Sequence, residues 1–314
     1  MTGARLLAVA SVRPRKVMTN DEFPPELGTS DEWIRSRTGI ESRGIAGEGE
    51  SIVDMGAAAA AKALAGAGLA ATDIDLLLLA TCTMPSPTPG AAPQVASRLG
   101  ITAGALDVNG ACAGFSYALA LAADAVRGGT ARNVAVIGSE RLTDWTDWSS
   151  RETCVLFGDG AGAVIVGATD AAHNGVGPVA WGSDGTKSDL IGVPDFGRYL
   201  GMDGKAVFRW ATSAVVAATQ EACDLAGLAP SDLAAFVPHQ ANLRIIDAAA
   251  RQLGLGKGTV IADDVRTSGN TSAASIPLAL SRLIEQGQVR TGDPVLLVAF
   301  GAGLSWAAQV VHCP

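Results

Sequence analysis

Three residues have the side chains that thiol-based acyl chemistry needs, and each lies between an apolar strand-like run and a helix-like run. They are Cys112 in DVNGACAGFSYALA, His239 in VPHQANLRIID and Asn270 in TSGNTSAAS. Around Cys112 the pattern predicts a strand end at 105–108, a Gly-bearing turn, and a helix opening at the cysteine or just after it. That helix carries Ala, Gly, Leu, Phe and Val on every side for three turns, so burial is expected. A cysteine at the start of a buried helix faces unpaired N–H groups and the positive end of the helix dipole, which favour a thiolate. Cys112 is therefore expected to have a lowered pKa and to act as a nucleophile. The same position also suits a small apolar filler. Taken together, Cys, His and Asn leave two reactions open. In a cysteine hydrolase the His is the base and the Asn orients it. In a carbon–carbon-forming enzyme the Cys accepts an acyl group from a thioester, while His239 and Asn270 donate hydrogen bonds to a developing enolate oxygen. The buried helix favours the second, because a long thioester arm reaches a deep sulfur and bulk water does not.

An internal repeat indicates which elements bring these residues together. AGLAATDI at 67–74 returns as AGLAPSDL at 226–233, each time as a helix end, a Gly cap and a turn. An apolar strand follows each copy, at 75–80 and 234–237, and then a helix ending in SRLG (97–100) or RQLG (251–254). The Cys112 turn and its helix align with Ser268–Thr271 and the helix IPLALSRLI; NVAVIG at 133–138 aligns with PVLLVAF at 294–300, and FGDGAGAVIVG at 157–167 with FGAGLSWAAQVV at 300–311. Continuous apolar strands alternating with helices imply sheets covered on both faces. The expected fold is layered α/β, built from two pseudo-symmetric halves at 1–168 and 169–314, with 169–205 as an irregular linker loop. The repeat puts Ala80 and Thr81 opposite His239 and Gln240, at strand ends near the two-fold, where α/β proteins place their sites.

Composition narrows the field further. With 314 residues, 48% of them hydrophobic and only 5% aromatic, the chain has a large core packed from small residues. A net charge of −8 argues against nucleic-acid binding. Apolar runs such as 76–80 and 57–61 are far shorter than the ~18 residues of a membrane span. The N-terminus reads as a first strand rather than a signal peptide. The five cysteines (82, 112, 154, 223 and 313) are scattered and lack CxxC spacing, so neither a disulfide framework nor a metal site is expected, and a reducing cytoplasm fits. Cys82, Cys154, Cys223 and Cys313 are expected to be filler, and His173 and His312 to have no part in the site.

The motifs around Cys112, His239 and Asn270, with TSDEWIRSRTGI (29–40), FGDGAGA (157–163) and FGAGLSW (300–306), resemble β-ketoacyl-acyl-carrier-protein synthase III of the thiolase superfamily, nearly from end to end. The resemblance implies a thiolase-like αβαβα fold and a cytoplasmic homodimer without a resident cofactor. It implies the initiation of type II fatty acid synthesis: an acyl-CoA acylates Cys112, malonyl-acyl carrier protein decarboxylates, and its carbanion attacks the acyl-enzyme. His239 and Asn270 then stabilise the enolate, and the N–H groups of Cys112 and Ala302 form the oxyanion hole. By the same resemblance Trp33 and Arg151 hold the adenine of CoA and Arg37 lies near its phosphates. Gly204, Val207, Phe208, Ala241 and Asn242 line the pantetheine channel. Phe157 belongs to the acyl pocket, as does Thr88, which reaches a partner subunit from the loop 84–90. Arg244 faces the carrier protein, with Lys205, Arg209 and Arg251 completing the basic patch that an acidic carrier needs on an acidic enzyme.

The sequence departs from the family at Asn109-Gly110, at Ala302 (often Gly), in a short loop at 187–203, and at Thr88, where acetyl-specific members carry Phe; a branched or longer acyl group is therefore expected. Two other readings stay open: a secondary-metabolism member that makes a polyketide starter or transfers an acyl group to oxygen or nitrogen without decarboxylation, and a non-catalytic partner subunit, which would be expected to lack the nucleophile that this chain keeps.

Overall fold

The computed structural model describes residues 3–170, 175–193 and 197–314, so His173 lies outside the described residues. The chain runs through β1 (Gly3–Val12), β2 (Lys16–Thr19), α1 (Asp31–Thr38), β3 (Ser42–Ile45), α2 (Ile52–Ala67), β4 (Leu76–Ala80), α3 (Ala92–Leu99), β5 (Gly104–Val108), α4 (Gly114–Arg127), β6 (Asn133–Arg141) and β7 (Asp159–Thr169). It continues through β8 (Ala180–Ser183), β9 (Ile191–Gly192), β10 (Gly201–Met202), α5 (Gly204–Ala226), β11 (Ala235–Pro238), α6 (Leu243–Gln252), β12 (Val260–Ile261), α7 (Val265–Ser268), α8 (Ser275–Glu285), β13 (Pro294–Gly301) and β14 (Ser305–His312).

Two five-stranded sheets result, in the orders β1-β7-β6-β4-β5 and β8-β14-β13-β11-β12. In each, the last three strands run parallel and the first two connections are antiparallel. Side chains alternate along the strands and sort into layers. Leu78, Ala80, Val134 and Val136 of one sheet face Ala235, Val237, Val295 and Leu297 of the other across α4 and α8. Leu77, Leu79 and Ile137 pack outward on α2 and α3, and Phe236, Leu296 and Val298 pack outward on α5 and α6. This is the expected αβαβα sandwich, with α4 and α8 as its central layer.

The repeat holds in detail. Gly68 and Gly227 cap α2 and α5 in the left-handed conformation. Asp75 N–H bonds to Asn133 O at the start of β4, as Ala234 N–H bonds to Pro294 O at the start of β11. At the turns the register differs from the sequence alignment. Ala111 and Ser272 both have φ 47°, each opens a three-residue 3-10 turn, and each N–H bonds back to an Asn side chain, that of Asn109 or Asn270. Asn270 is thus the counterpart of Asn109, and Cys112 the counterpart of Ala273.

The segment expected to be an irregular linker also departs from expectation. It contributes β8 to the second sheet's edge, a 3-10 stretch at Gly185–Leu190, and the short antiparallel pair β9–β10. No described helix is long and apolar enough to cross a membrane.

The turns cross over: 111–113, from the first half, packs on β13, whereas 272–274, from the second, packs on β6. Two glycines admit them. A Cβ on Gly138 would lie 2.4 Å from Ala273 O, and one on Gly301 would lie 2.6 Å from Cys112 Cβ. Gly138→Ala is therefore expected to lower stability by roughly 1–3 kcal/mol, as overpacking does, read as a shifted denaturation midpoint at unchanged slope.

Candidate active site

Cys112 lies in the 3-10 turn ahead of α4, its backbone tightened by Ala111 in a conformation that non-glycine residues rarely adopt. The N–H groups of Cys112 and Ala302 lie near the sulfur, and Ser272 Oγ donates to it at 3.4 Å. These contacts favour a thiolate, but burial outweighs them and the nearby Glu140 adds to the opposition, so the thiol is pushed up to about 11. The expected lowered pKa is therefore not found. The helix proper begins only at Gly114, and the sulfur is desolvated. At neutral pH the Cys112 side chain is a thiol.

His239 continues from β11, buried, with Nδ1 2.7 Å from Ser275 Oγ and its ring edge-on to Phe300 at 5.2 Å. Burial pulls its pKa down to about 3, so the ring is neutral at working pH. Gln240 N–H donates to the same Ser275 oxygen. A Ser275 hydroxyl that donates to Nδ1 sets the ring proton on Nε2, facing away from Ser275. Asn270 is held by backbone bonds to Leu156 and from Gly158. Its Oδ1 accepts the Ser272 N–H at 2.9 Å, which leaves the Nδ2 amide as the donor. Cys112, His239 and Asn270 line one cavity of about 540 Å³. The site thus joins a nucleophile, two neutral hydrogen-bond donors and two backbone N–H groups at the sulfur, which is equipment for forming a thioester and stabilising an oxyanion.

The same cavity is lined by Trp33, Arg37 and Arg151, with the Arg151 and Arg37 guanidinium carbons 4.8 Å and 5.8 Å from the Trp33 ring centre. Gly204, Val207, Phe208, Ala241 and Asn242 also line it. The sequence models of 3-oxoacyl-[acyl-carrier-protein] synthase III match residues 106–185 and, for its C-terminal part, 223–313. The chain belongs to this family. The synthase is 50% identical over 316 residues to β-ketoacyl-[acyl-carrier-protein] synthase III 2 of Streptomyces avermitilis, with 100% of both chains covered. It is 46% identical to the mycobacterial β-ketoacyl-[acyl-carrier-protein] synthase III of Mycobacterium avium, over 100% of this chain and 96% of that one. Its fold matches the priming β-ketosynthase of the R1128 polyketide biosynthetic pathway with a TM-score of 0.95 at 45% identity, covering 99% and 96% of the two chains. For 3-oxoacyl-[acyl-carrier-protein] synthase III of Aquifex aeolicus the TM-score is 0.94 at 38% identity, covering 99% and 100%.

A smaller cavity of about 160 Å³ adjoins Cys112, lined by Leu142, Trp145, Phe157, Leu200 and Ala302 among others. Thr88 is exposed and lines neither cavity of its own chain. Lys205 lies at the large cavity, and Arg209, Arg244 and Arg251 are exposed on α5 and α6, with Arg244 over the Phe208 ring at 5.7 Å. His312 lines neither cavity; its Nδ1 lies 3.3 Å from Gly175 O at the end of β14.

Sequence reasoning missed four neighbours of the triad. Ser272 and Ser275 touch Cys112 and His239, and their signal was the cluster of hydroxyls at the head of an otherwise apolar helix. Glu140 is wholly buried, in the apolar strand β6. Cys82 is not filler: its sulfur bonds to Glu140 and Ser272 and lines the small cavity.

The depressed His239 pKa has a stability consequence with a definite sign. Between pH 6.5 and about 3 the unfolded chain binds a proton that the native one refuses, so stability is lost as pH falls through that window. His239→Gln removes this term. Between pH 7 and pH 5 the parent should lose about 2 kcal/mol more stability than the variant, measured by denaturant unfolding at each pH.

Proposed function

We propose that the synthase uses Cys112 to take an acyl group from acyl-CoA and condenses it with malonyl-acyl carrier protein, releasing CO₂ and β-ketoacyl-acyl carrier protein and so initiating type II fatty acid synthesis. What carries this reading is the convergence of Cys112, His239 and Asn270 on one cavity. The half at 1–168 supplies the nucleophile and the half at 169–314 the two donors. Trp33 and Arg151 hold the adenine, with Arg37 beside the phosphates. The pantetheine arm descends past Gly204, Val207, Phe208, Ala241 and Asn242. The Cys112 sulfur attacks the thioester carbon, the N–H groups of Cys112 and Ala302 stabilise the tetrahedral oxyanion, and CoA leaves.

Malonyl-acyl carrier protein then enters the same channel, its carrier steered by Lys205, Arg209, Arg244 and Arg251 on the rim. His239 Nε2–H and Asn270 Nδ2–H bond to the malonyl thioester oxygen. When CO₂ departs, charge accumulates on that oxygen and both bonds strengthen. A neutral His is the right donor here, because it does not protonate the enolate before carbon–carbon bond formation. CoA and the phosphopantetheine arm are substrates, and the chemistry uses no resident cofactor. The working protein is a cytoplasmic homodimer, Thr88 closing the acyl pocket of the partner subunit, and it binds neither nucleic acid nor membrane.

The small cavity beside Cys112 has more room than an acetyl group needs, which favours a branched or longer primer. The likeness to a polyketide-pathway priming ketosynthase favours a second reading, in which the same condensation supplies a polyketide starter.

Intact-mass spectrometry with acetyl-, isobutyryl-, hexanoyl- and lauroyl-CoA tests the proposal. An acyl adduct that disappears in Cys112→Ala is expected, strongest with a branched or longer primer. His239→Ala and Asn270→Ala should still acylate, while CO₂ release from malonyl carrier protein falls by about 10²–10³-fold. An adduct from acetyl-CoA alone would overturn the primer assignment.

A further inference from the structure

Behind Cys112 a single file of proton-bearing side chains leads to a buried carboxylate. Ser272 Oγ lies 3.4 Å from Cys112 Sγ, Cys82 Sγ lies 3.5 Å from Ser272 Oγ, and Glu140 Oε1 lies 3.3 Å from Cys82 Sγ. The far oxygen of Glu140 is already engaged: Oε2 accepts from Thr83 Oγ1 at 2.6 Å, Thr81 Oγ1 at 3.0 Å and Thr83 N–H at 3.1 Å. Cys82 N–H is shared between the two oxygens, at 3.2 Å and 3.1 Å, and Ala273 N–H reaches Oε1 at 3.4 Å. Burial pushes the Glu140 carboxyl up, and this shell of donors works against that rise. Oε1 is left as the oxygen that faces the Cys82 thiol.

We propose that Ser272 and Cys82 conduct the Cys112 proton to Glu140, which stores it for the lifetime of the acyl-enzyme. This rests on Cys112 being the nucleophile. Ser272 touches the reacting sulfur; Cys82 and Glu140 are positioning residues that act through it. At rest the Ser272 hydroxyl donates to Cys112 Sγ. As the bond from Cys112 Sγ to the acyl carbon forms and the bond from that carbon to the CoA sulfur breaks, the hydroxyl turns to Cys82 Sγ and the thiol proton passes to Ser272 Oγ. The Ser272 hydroxyl proton passes to Cys82 Sγ, and the Cys82 proton to Glu140 Oε1. CoA leaves as a thiolate and takes a proton from water at the cavity mouth. In the second half-reaction the malonyl carbanion displaces Cys112 from the acyl carbon, the sulfur departs as a thiolate, and the three transfers run backwards. Glu140 is again ionised, and one solvent proton has been consumed for each CoA released.

Two further observations support the path. Burial holds the resting Cys112 as a thiol, so acylation requires an acceptor for its proton. Cys82, Cys112 and Ser272 also line the same small cavity, so a seated acyl chain covers the path from water. His239, also at the site, is neutral at working pH. Arg37, Arg151, Glu152, Asp203 and Lys205 line the large cavity and not the small one, and Arg141 next to Glu140 is tied to Asp144. A purely structural Glu140 would pin the 81–83 loop and the 272–274 turn and act on Cys112 through its charge alone, so that Cys82→Ala would leave the Cys112 profile unchanged.

The test is the pH dependence of Cys112 acylation and of its alkylation by iodoacetamide, from about pH 5 to about pH 10, read by intact mass. In Cys82→Ala and Ser272→Ala the neutral-pH rate should fall by at least about tenfold, with the profile midpoint moved upward. Cys82→Ser, which keeps a relaying hydroxyl, should rescue both. A Cys82→Ala profile that overlays the parent's would overturn the path. The unmodified enzyme gives an independent check: in mixtures of light and heavy water the acylation rate should bow with isotope fraction, because several protons move together. A straight line would overturn the path as well. Absence of any adduct on the parent's Cys112 would sink the nucleophile and the path together, whereas an adduct with unaltered profiles would sink the path alone.

Discussion

The structure depends on how closely two short turns approach the strand ends of the opposite half. Cys112 reaches Gly301 at a distance that excludes a side chain there, and the Ala273 carbonyl presses on Gly138 in the same way. Because the turns cross, neither sheet completes a site from its own residues. Cys112 comes from one half, and Ala302, its hydroxyl neighbour Ser272, His239 and Asn270 come from the other. The pseudo-two-fold is therefore more than an architectural convenience. It brings two helix starts, α4 and α8, into one layer, with strand ends from both sheets above them.

Around this contact the polar groups that face the cavity are held from behind. His239 has Ser275, Asn270 has Ser272 N–H, and Glu140 has a full shell of donors. Locking one end of each side chain fixes what the other end presents to the cavity, and such preorganisation lets a hydrogen bond gain strength as charge develops. Burial does the complementary electrostatic work: it keeps His239 neutral and Cys112 protonated. The site is at rest until a substrate arrives.

Much of this was legible in the sequence because it is local. The repeat, the strand and helix order and the glycine caps are encoded by residues a few positions apart, and the motifs around Cys112, His239 and Asn270 are contiguous. The register of the symmetry at the turns was not, because the alignment followed residue types, whereas the backbone matches Ala111 to Ser272 through a shared φ. Cys82 resembled filler because its sequence neighbours are apolar, while its partners Glu140 and Ser272 arrive from other elements. The pKa of Cys112 was misjudged for a related reason: a helix start can be read from sequence, but the desolvation that outweighs it is a property of the assembled core. Strand β8 was hidden in a stretch whose Gly and Asp content reads as loop and whose edge position calls for little apolar periodicity.

The crossing of the turns also has a temporal side. A chain is made from its N-terminus, and early elements can begin to collapse while later ones are still being synthesised. Cys112 emerges well before β13, so for much of translation the thiol lacks the Ala302 N–H, the Ser272 hydroxyl and the Gly301 wall. Through that interval it is an ordinary cysteine among small apolar residues. The cavity and the contacts around the sulfur are therefore assembled only when the second half docks, so the order of synthesis separates the making of Cys112 from the making of its surroundings.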